Sequence, residues 1–269
     1  MKLSAVVITK NEEDRIKACL ESVKWADEIV VVDNGSTDKT LQIVEKYTEK
    51  ILKTDVQDFA AIRNIGVEKA TGEWILFVDA DERVLMPLKT EIEAMINFTD
   101  FSALAISRKN IIFGKEAKYG PFWPDWVIRL LKKTDFDGWV GKVHEQPKFR
   151  GNLGYSKNPL LHLTHRSLDQ IVLKSLEWSK IDANLRLDVD HPKMSGWRFL
   201  RIFITEVFNQ GIIRRGFFNG TVGVMDSLLQ AFSFFMTYVR LWEMQQSNPR
   251  NKFYDELDKK LIECSFKDS

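Results

Sequence analysis

The feature that most constrains this chain is a series of short, largely apolar runs, each ending abruptly in acids or hydroxyls. Leu3–Ile8 gives way to Thr9-Lys10-Asn11-Glu12-Glu13, and Glu28–Val32 to Asp33-Asn34-Gly35-Ser36-Thr37-Asp38. Ile75–Val78, entered from Gly72 and Trp74, gives way to Asp79-Ala80-Asp81-Glu82. Apolar runs this short, bounded by polar exits, read as strands buried on both faces. Between them lie segments of helical spacing: Arg15–Val23, with Ile16, Leu20 and Val23 on one side, about Thr40–Tyr47, and Phe59–Lys69. Ser36 or Thr37 is the expected N-cap of the second helix, and Ile51–Lys53 supplies a short third strand. This β-α-β-α-β-α-β alternation predicts an α/β fold, a mostly parallel sheet with helices on both faces.

In such a sheet the carboxyl ends of the strands share one edge, and ligands bind there. Thr9, Asp33, Asp79 and Asp81 are therefore expected to converge. Asp79 and Asp81 are two apart and point the same way if the extended geometry continues past the strand. Two hard oxygen donors on one side suit a divalent cation that keeps some waters and also holds a diphosphate. Alternatively, acids after a strand merely cap the next helix, and Glu82 is read as such a helix-start residue. Asp33 can accept from a base N–H or a ribose hydroxyl, and Arg63 can meet a base carbonyl or a phosphate. No GxGxxG or GxxxxGK[ST] motif occurs near these strands, so a cation rather than a glycine-rich loop would offset phosphate charge.

At 269 residues the chain fits one large α/β domain or a domain with an appendage. Its formal net charge of +1 provides no field for gathering nucleic acid, and no nucleic-acid partner is expected. The two cysteines, Cys19 and Cys264, lie at opposite ends, which suits a reducing compartment; Cys19 reads as a small core residue. Met1–Thr9 runs directly into a strand without the basic region or cleavage site of a signal peptide, so a cytoplasmic location is expected.

Four motifs, Val-Val-Ile-Thr-Lys-Asn-Glu-Glu, Val-Val-Val-Asp-Asn-Gly-Ser-Thr-Asp, Ala-Ile-Arg-Asn-Ile-Gly and Phe-Val-Asp-Ala-Asp-Glu, occur in this order between Lys2 and about Val84. As a set they resemble glycosyltransferase family 2, the inverting enzymes of the GT-A, Rossmann-like fold. The finer similarity is to a branch that builds the lipopolysaccharide core. The resemblance implies a nucleotide-sugar donor, UDP-glucose foremost, held by Thr9, Asp33, Arg63 and Asp79. It places Asp81, second acid of a DXD motif, on Mg²⁺ or Mn²⁺, and a glycan of the lipopolysaccharide inner core as acceptor. An inverting transfer needs one base at the acceptor hydroxyl, opposite the leaving diphosphate. The His144-Glu145 pair resembles that position, with Glu145 the expected base and Asp125 the second choice. GT-A enzymes often complete the cation shell with a downstream histidine; His162 and His165 are both candidates, and His165 is favoured. Two other classes share these features: a nucleotidyltransferase, for which Thr9–Glu13 lacks a basic or glycine-rich phosphate loop, and a non-catalytic nucleotide-sugar or membrane adaptor.

Further along, Phe101–Ser107 and Val127–Leu131 read as strands, and the Gly-, Pro- and aromatic-rich loop Phe113–Trp126 could offer Trp123 and Trp126 for stacking on an acceptor sugar. A helical pattern begins at Leu168. The apolar runs Trp197–Phe208 and Leu228–Trp242, separated by a glycine-bearing turn, are interrupted by Arg198, Arg201, Glu206, Gln230 and Arg240, short of the about 20 apolar residues of a spanning helix. Between Pro192 and Arg240, six Lys and Arg face two Asp and Glu. These helices are expected to lie in a membrane interface, peripheral on the inner face of the cell membrane. The organisation expected is 1–100 for the donor half, 101–167 for the acceptor half, and 168–269 for a C-terminal helical appendage.

Overall fold

The structure is a computed structural model that describes residues 2–56, 58–98, 100–120, 124–141, 145–246 and 250–265. Strands β1 (Leu3–Thr9), β2 (Glu28–Asp33), β3 (Ile51–Lys53) and β4 (Trp74–Asp79) lie parallel in the order β3-β2-β1-β4. They are joined by α1 (Ile16–Val23), α2 (Thr40–Val44) and α3 (Phe59–Lys69). Alternate residues of the strands point to opposite faces, and both faces are covered. Ala5, Val7, Val31, Leu76 and Val78 pack with Ile16, Leu20 and Val23 of α1. Val6, Val30, Val32, Ile75 and Phe77 pack with Ala60, Ile62 and Val67 of α3. Burial on two sides is why these strands read as nearly continuous apolar runs rather than alternating ones. Gly66 lets α3 approach the sheet: a Cβ there would lie 2.4 Å from Val6 Cγ1.

Beyond β4 the chain makes the two-residue strand β5 (Glu82–Arg83) and then α4 (Met86–Phe98), which buries Leu88, Ile92 and Ile96. Strand β6 (Phe101–Ile112) runs well past the expected Ser107 and turns into β7 (Lys115–Glu116). Strand β8 (Asp125–Lys132) inserts between β4 and β6, antiparallel to both. A separate antiparallel pair, β9 (Phe136–Val140) and β10 (Gln146–Phe149), follows. Strands β11 (Asn152–Tyr155) and β12 (Leu160–Thr164) then return parallel to β6, and β5 closes the edge on β12. The main sheet thus runs β3-β2-β1-β4-β8-β6-β12-β5. Glu82 therefore starts no helix; it belongs to β5.

The C-terminal part is helical: α5 (Leu168–Asp188), α6 (Gly196–Phe208), α7 (Gly220–Met244) and α8 (Arg250–Ser265). Ser167 and Ser195 cap α5 and α6 through their side chains. Ala183, Met194, Tyr238 and Leu241 form a small core with Phe199, Ile202 and Phe234. Among the described residues α7 alone is long and apolar enough, by length and composition, to cross a membrane, which differs from the expectation for Leu228–Trp242. The difference arises because the helix begins eight residues earlier, at Gly220. A third of its most apolar stretch is nonetheless buried inside the protein.

Candidate functional site

The ends of β1, β2 and β4 meet as expected. Thr9 pairs in register with Asp33, and Ile8 with Asp79. The exit loops of β1 and β2 are stitched to each other rather than acting as helix caps. Asn11, in the left-handed region at φ 53°, donates its N–H to Ser36 Oγ (2.9 Å) and accepts from the Thr37 N–H (2.8 Å). The Glu12 N–H donates to Thr40 Oγ1 (2.8 Å), and the Lys39 N–H to Glu13 Oε2 (2.9 Å). Ser36 and Thr37 are thus used in this stitch, and Asp38 takes the Thr40 N–H instead. The stitched edge leaves Thr9 Oγ1 and Asp33 Oδ1 buried without a hydrogen-bond partner among the described residues. A buried polar atom left unpaired costs about 1–3 kcal/mol. Thr9 and Asp33 are register partners at the ends of β1 and β2, so the two atoms belong to one strand-end edge.

Next to this edge an arginine–carboxylate network fixes Asp79. Arg63 (5% exposed) donates from Nη2 to Asp79 Oδ1 at 3.0 Å and from Nε to Glu145 Oε1 at 3.3 Å. Its guanidinium lies 5.0 Å from the Trp139 ring centroid, and Nη1 is a further buried donor without a partner among the described residues. Arg129 (4% exposed) bonds Asp79 Oδ2 and, at 2.7 Å, Glu82 Oε1. Glu82 is fully buried, and its other oxygen accepts the Asp79 N–H at 2.9 Å. Burial alone would raise the Asp79 carboxyl, but Arg129 and Arg63 hold it well below the usual carboxylate range. It is a fixed anion. Cys19, whose Sγ lies 3.4 Å from the Asp79 carbonyl, is buried and its thiol pushed up, which makes it an inert core group.

Asp81 is buried beside His162, whose Nε2 lies 3.4 Å from Asp81 Oδ2. Burial would raise this carboxyl too, but His162 and Lys174, whose Nζ is at 3.9 Å, hold it low. The other ring nitrogen of His162 meets Asn110 Oδ1 at 2.6 Å. An amide oxygen can only accept, so Nδ1 donates to it, which fixes the ring with Nε2 toward Asp81. His165, favoured from the sequence, is placed elsewhere: its Nδ1 lies 3.5 Å from Asp226 Oδ1 on α7. The reason is strand parity. His162 lies within β12, paired with Glu82 of β5, whereas His165 follows the strand with a left-handed φ of 46° and turns away. No group of three or more His, Cys, Asp or Glu occurs among the described residues with the geometry of a metal site. Asp81 and His162 bring one carboxylate and one imidazole nitrogen within 3.4 Å of each other, a pair of donors that would fit a divalent cation.

A cavity of about 440 Å³ opens on the other side of Asp79. Arg63, Asp79, Arg129 and Glu145 line it together with Trp126, Trp139 and Tyr155. Asp79 lines this cavity, whereas Thr9, Asp33 and Asp81 lie outside its lining. Glu145 has one described ion-pair partner, Arg63. Asp125, the second candidate base, is fully engaged: Arg108 grips both of its oxygens (2.8 and 3.1 Å), and Asn110 adds a bond at 2.9 Å. Trp126 (42% exposed) and Tyr155 meet edge to face at 5.2 Å and form an aromatic corner of the cavity. Trp123 and His144 lie outside the described residues.

Sequence reasoning gave Arg129, Glu82, Asn110, Trp139 and Tyr155 no role in the site. Arg129 did carry a signal, since a charge inside the apolar strand Val127–Leu131 needs a buried partner. The others depend on which strands become neighbours.

Residues 4–153 match the family described as Glycosyl transferase family 2. An uncharacterized glycosyltransferase of Rickettsia typhi is 30% identical over 257 residues, covering 90% of this chain and 87% of the relative. The lipopolysaccharide core biosynthesis glycosyltransferase LpsC of Rhizobium meliloti is 26% identical over 274 residues, covering 96% and 98%. Among solved structures, S. aureus TarS 1-349 in complex with UDP-GlcNAc aligns at a TM-score of 0.45 and 19% identity, covering 87% of this chain and 80% of that one.

Proposed function

Because the chain belongs to glycosyl transferase family 2, we propose that it moves a hexose from a nucleoside-diphosphate sugar to a glycan hydroxyl, inverting the anomeric carbon in one displacement. One observation carries this reading: Arg63 ties Glu145 to Asp79 inside a single cavity, and at the neighbouring strand ends Thr9 Oγ1 and Asp33 Oδ1 are buried without a partner among the described residues. Thr9, Asp33, Arg63 and Asp79 bind the donor, with Asp33 and Thr9 on the nucleoside. Residues 1–100 form the donor half, 101–167 the acceptor half and 168–269 the helical appendage. Glu145 takes the proton of the acceptor hydroxyl as its oxygen bonds to the anomeric carbon, and the bond to the diphosphate breaks on the opposite face. Asp81 and His162 hold Mg²⁺ or Mn²⁺, which when bound supplies Lewis-acid stabilisation of the departing diphosphate. Trp126 and Tyr155 offer the acceptor ring a stacking surface.

UDP-glucose as donor follows from the resemblance of the four strand-end motifs, and a lipopolysaccharide-core acceptor is supported by the name of the Rhizobium relative. The test is release of UDP from UDP-glucose with Mn²⁺ and a core oligosaccharide. The Glu145→Gln variant should bind UDP like the wild type yet transfer nothing. Wild-type turnover by that variant would remove Glu145 from the mechanism.

A further inference from the structure

Helix α6 buries none of its residues, and Trp197 (71% exposed), Leu200, Ile204 and Phe208 recur along one side at three- and four-residue intervals. Its neighbouring side is used: Phe199 and Phe203 each meet Phe235 of α7 at 5.6 Å between ring centroids. On α7, Met225, Leu228 and Phe232 form a second exposed strip that leads, three residues on, to Phe235. The Phe203–Phe235 contact therefore joins the two strips into one apolar surface. Ile212, Ile213 and Phe218 extend it across the turn between the helices.

The charge around this surface is basic. The segment 193–235 that builds it carries five cations, Lys193, Arg198, Arg201, Arg214 and Arg215, and two acids, Glu206 and Asp226, both engaged. Glu206 accepts from Gln210 Nε2 at 2.6 Å, and Asp226 is buried against His165. We infer that the α6–α7 surface docks on an anionic phospholipid bilayer, its apolar strip at the acyl boundary and its arginines on lipid phosphates. A second copy of the chain is the poorer occupant, because two such basic surfaces repel across a two-fold contact. A spanning role for α7 is also poorer. Its far side is committed to the protein, with Arg240 Nε donating to Ser179 Oγ of α5 at 2.8 Å and Asp226 facing His165. The same surface is tied to the cavity's scaffold. The Gly120 N–H donates to the Arg214 carbonyl at 2.8 Å, and Val222 packs on Ile112, Ala117 and Tyr119. That segment leads toward β8, whose Trp126 lines the cavity.

The inference does not depend on the transfer chemistry and is tested by co-sedimentation of the full chain with vesicles. One set contains one part phosphatidylglycerol to two parts phosphatidylcholine, the other phosphatidylcholine alone. Binding should require the anionic lipid and weaken with salt. Trp197→Glu and Phe208→Glu should each weaken it by about tenfold or more, from lost apolar burial. Arg201→Gln and Arg215→Gln should each weaken it about fivefold. UDP binding, measured on the same variants, should stay at the wild-type level and so report an intact fold. Equal binding to both vesicle types, wild-type binding by the glutamate variants, or a stable dimer that ignores vesicles would each overturn the inference. A chain that docks on vesicles but binds no UDP would count against the proposed transfer and leave this docking surface standing.

Discussion

Replacing Arg129 by Leu tests whether the buried network beneath the site is held by charge. The wild-type side chain is 4% exposed and joins Asp79 to Glu82, which is itself fully buried. Without Arg129, the cation that Glu82 keeps among the described residues is the more distant Arg108, at 3.6 Å, and Glu82 stands beside Asp79 as a second anion. Removing one partner of a buried pair costs about 3–5 kcal/mol, most of it from the charge left behind. Arg108 recovers part of that, so about 3 kcal/mol of lost unfolding free energy is expected. The assay is equilibrium urea unfolding followed by Trp fluorescence, with the slope checked for two-state behaviour. Adding Glu82→Gln removes the stranded charge while its amide oxygen still accepts the Asp79 N–H, so the double variant should regain at least half of the loss. The loss also has a defined pH dependence. Asp79 is held low in the folded protein, so its contribution is present above the ordinary carboxylate range and declines as pH falls through it. The gap between wild type and Arg129→Leu should therefore be full at pH 7 and narrow below about pH 4. A loss under about 1 kcal/mol, or no coupling between the two substitutions, would refute the electrostatic account.

Other outcomes can be checked directly. Asp81→Ala should weaken Mn²⁺-dependent UDP binding, and His162→Ala should cost about 10–100-fold in Mn²⁺ affinity by calorimetry, with His165→Ala leaving it unchanged. The reverse order for the two histidines would remove His162 from the cation site. Gly66→Ala should destabilise by about 1–3 kcal/mol in urea, since its methyl would meet Val6 Cγ1 at 2.4 Å. Glu28 is opposed by burial, but Lys50, Ser4 and Thr71 lower it from 4.5 to about 2. It therefore stabilises above its unfolded pKa, and the effect of Glu28→Gln should shrink as pH falls from 4.5 toward 2. An effect that persisted unchanged at pH 2 would exclude the ionised carboxylate as its source.

Much of the strand-end edge was legible in the sequence alone. Strands buried on both faces must be continuously apolar, and parallel strands joined by helices must end on one edge, so the positions of Thr9, Asp33 and Asp79 follow from local pattern. The β1 and β2 exit motifs were legible as polar loops, but their purpose as a mutual stitch was not, because Asn11 and Ser36 are neighbours only once β1 and β2 pair. Chain order says little about the second half of the sheet. Strand β8 enters between β4 and β6, and this insertion alone brings Arg129 onto Asp79 and Glu82.

The two histidines show the boundary clearly. Sequence spacing admits either His162 or His165 near Asp81, because three residues separate them and the local conformation decides which way each points. The tertiary structure decided it through the pairing of β12 with β5, which puts His162 opposite Glu82, one residue from Asp81. What the sequence by itself determined was the α/β layering, the shared strand-end edge and the residues delivered to it, since these depend on periods of two and 3.6 residues. Only the tertiary structure decided which distant side chains complete that edge, because those contacts depend on strand order and parity, which no local period encodes.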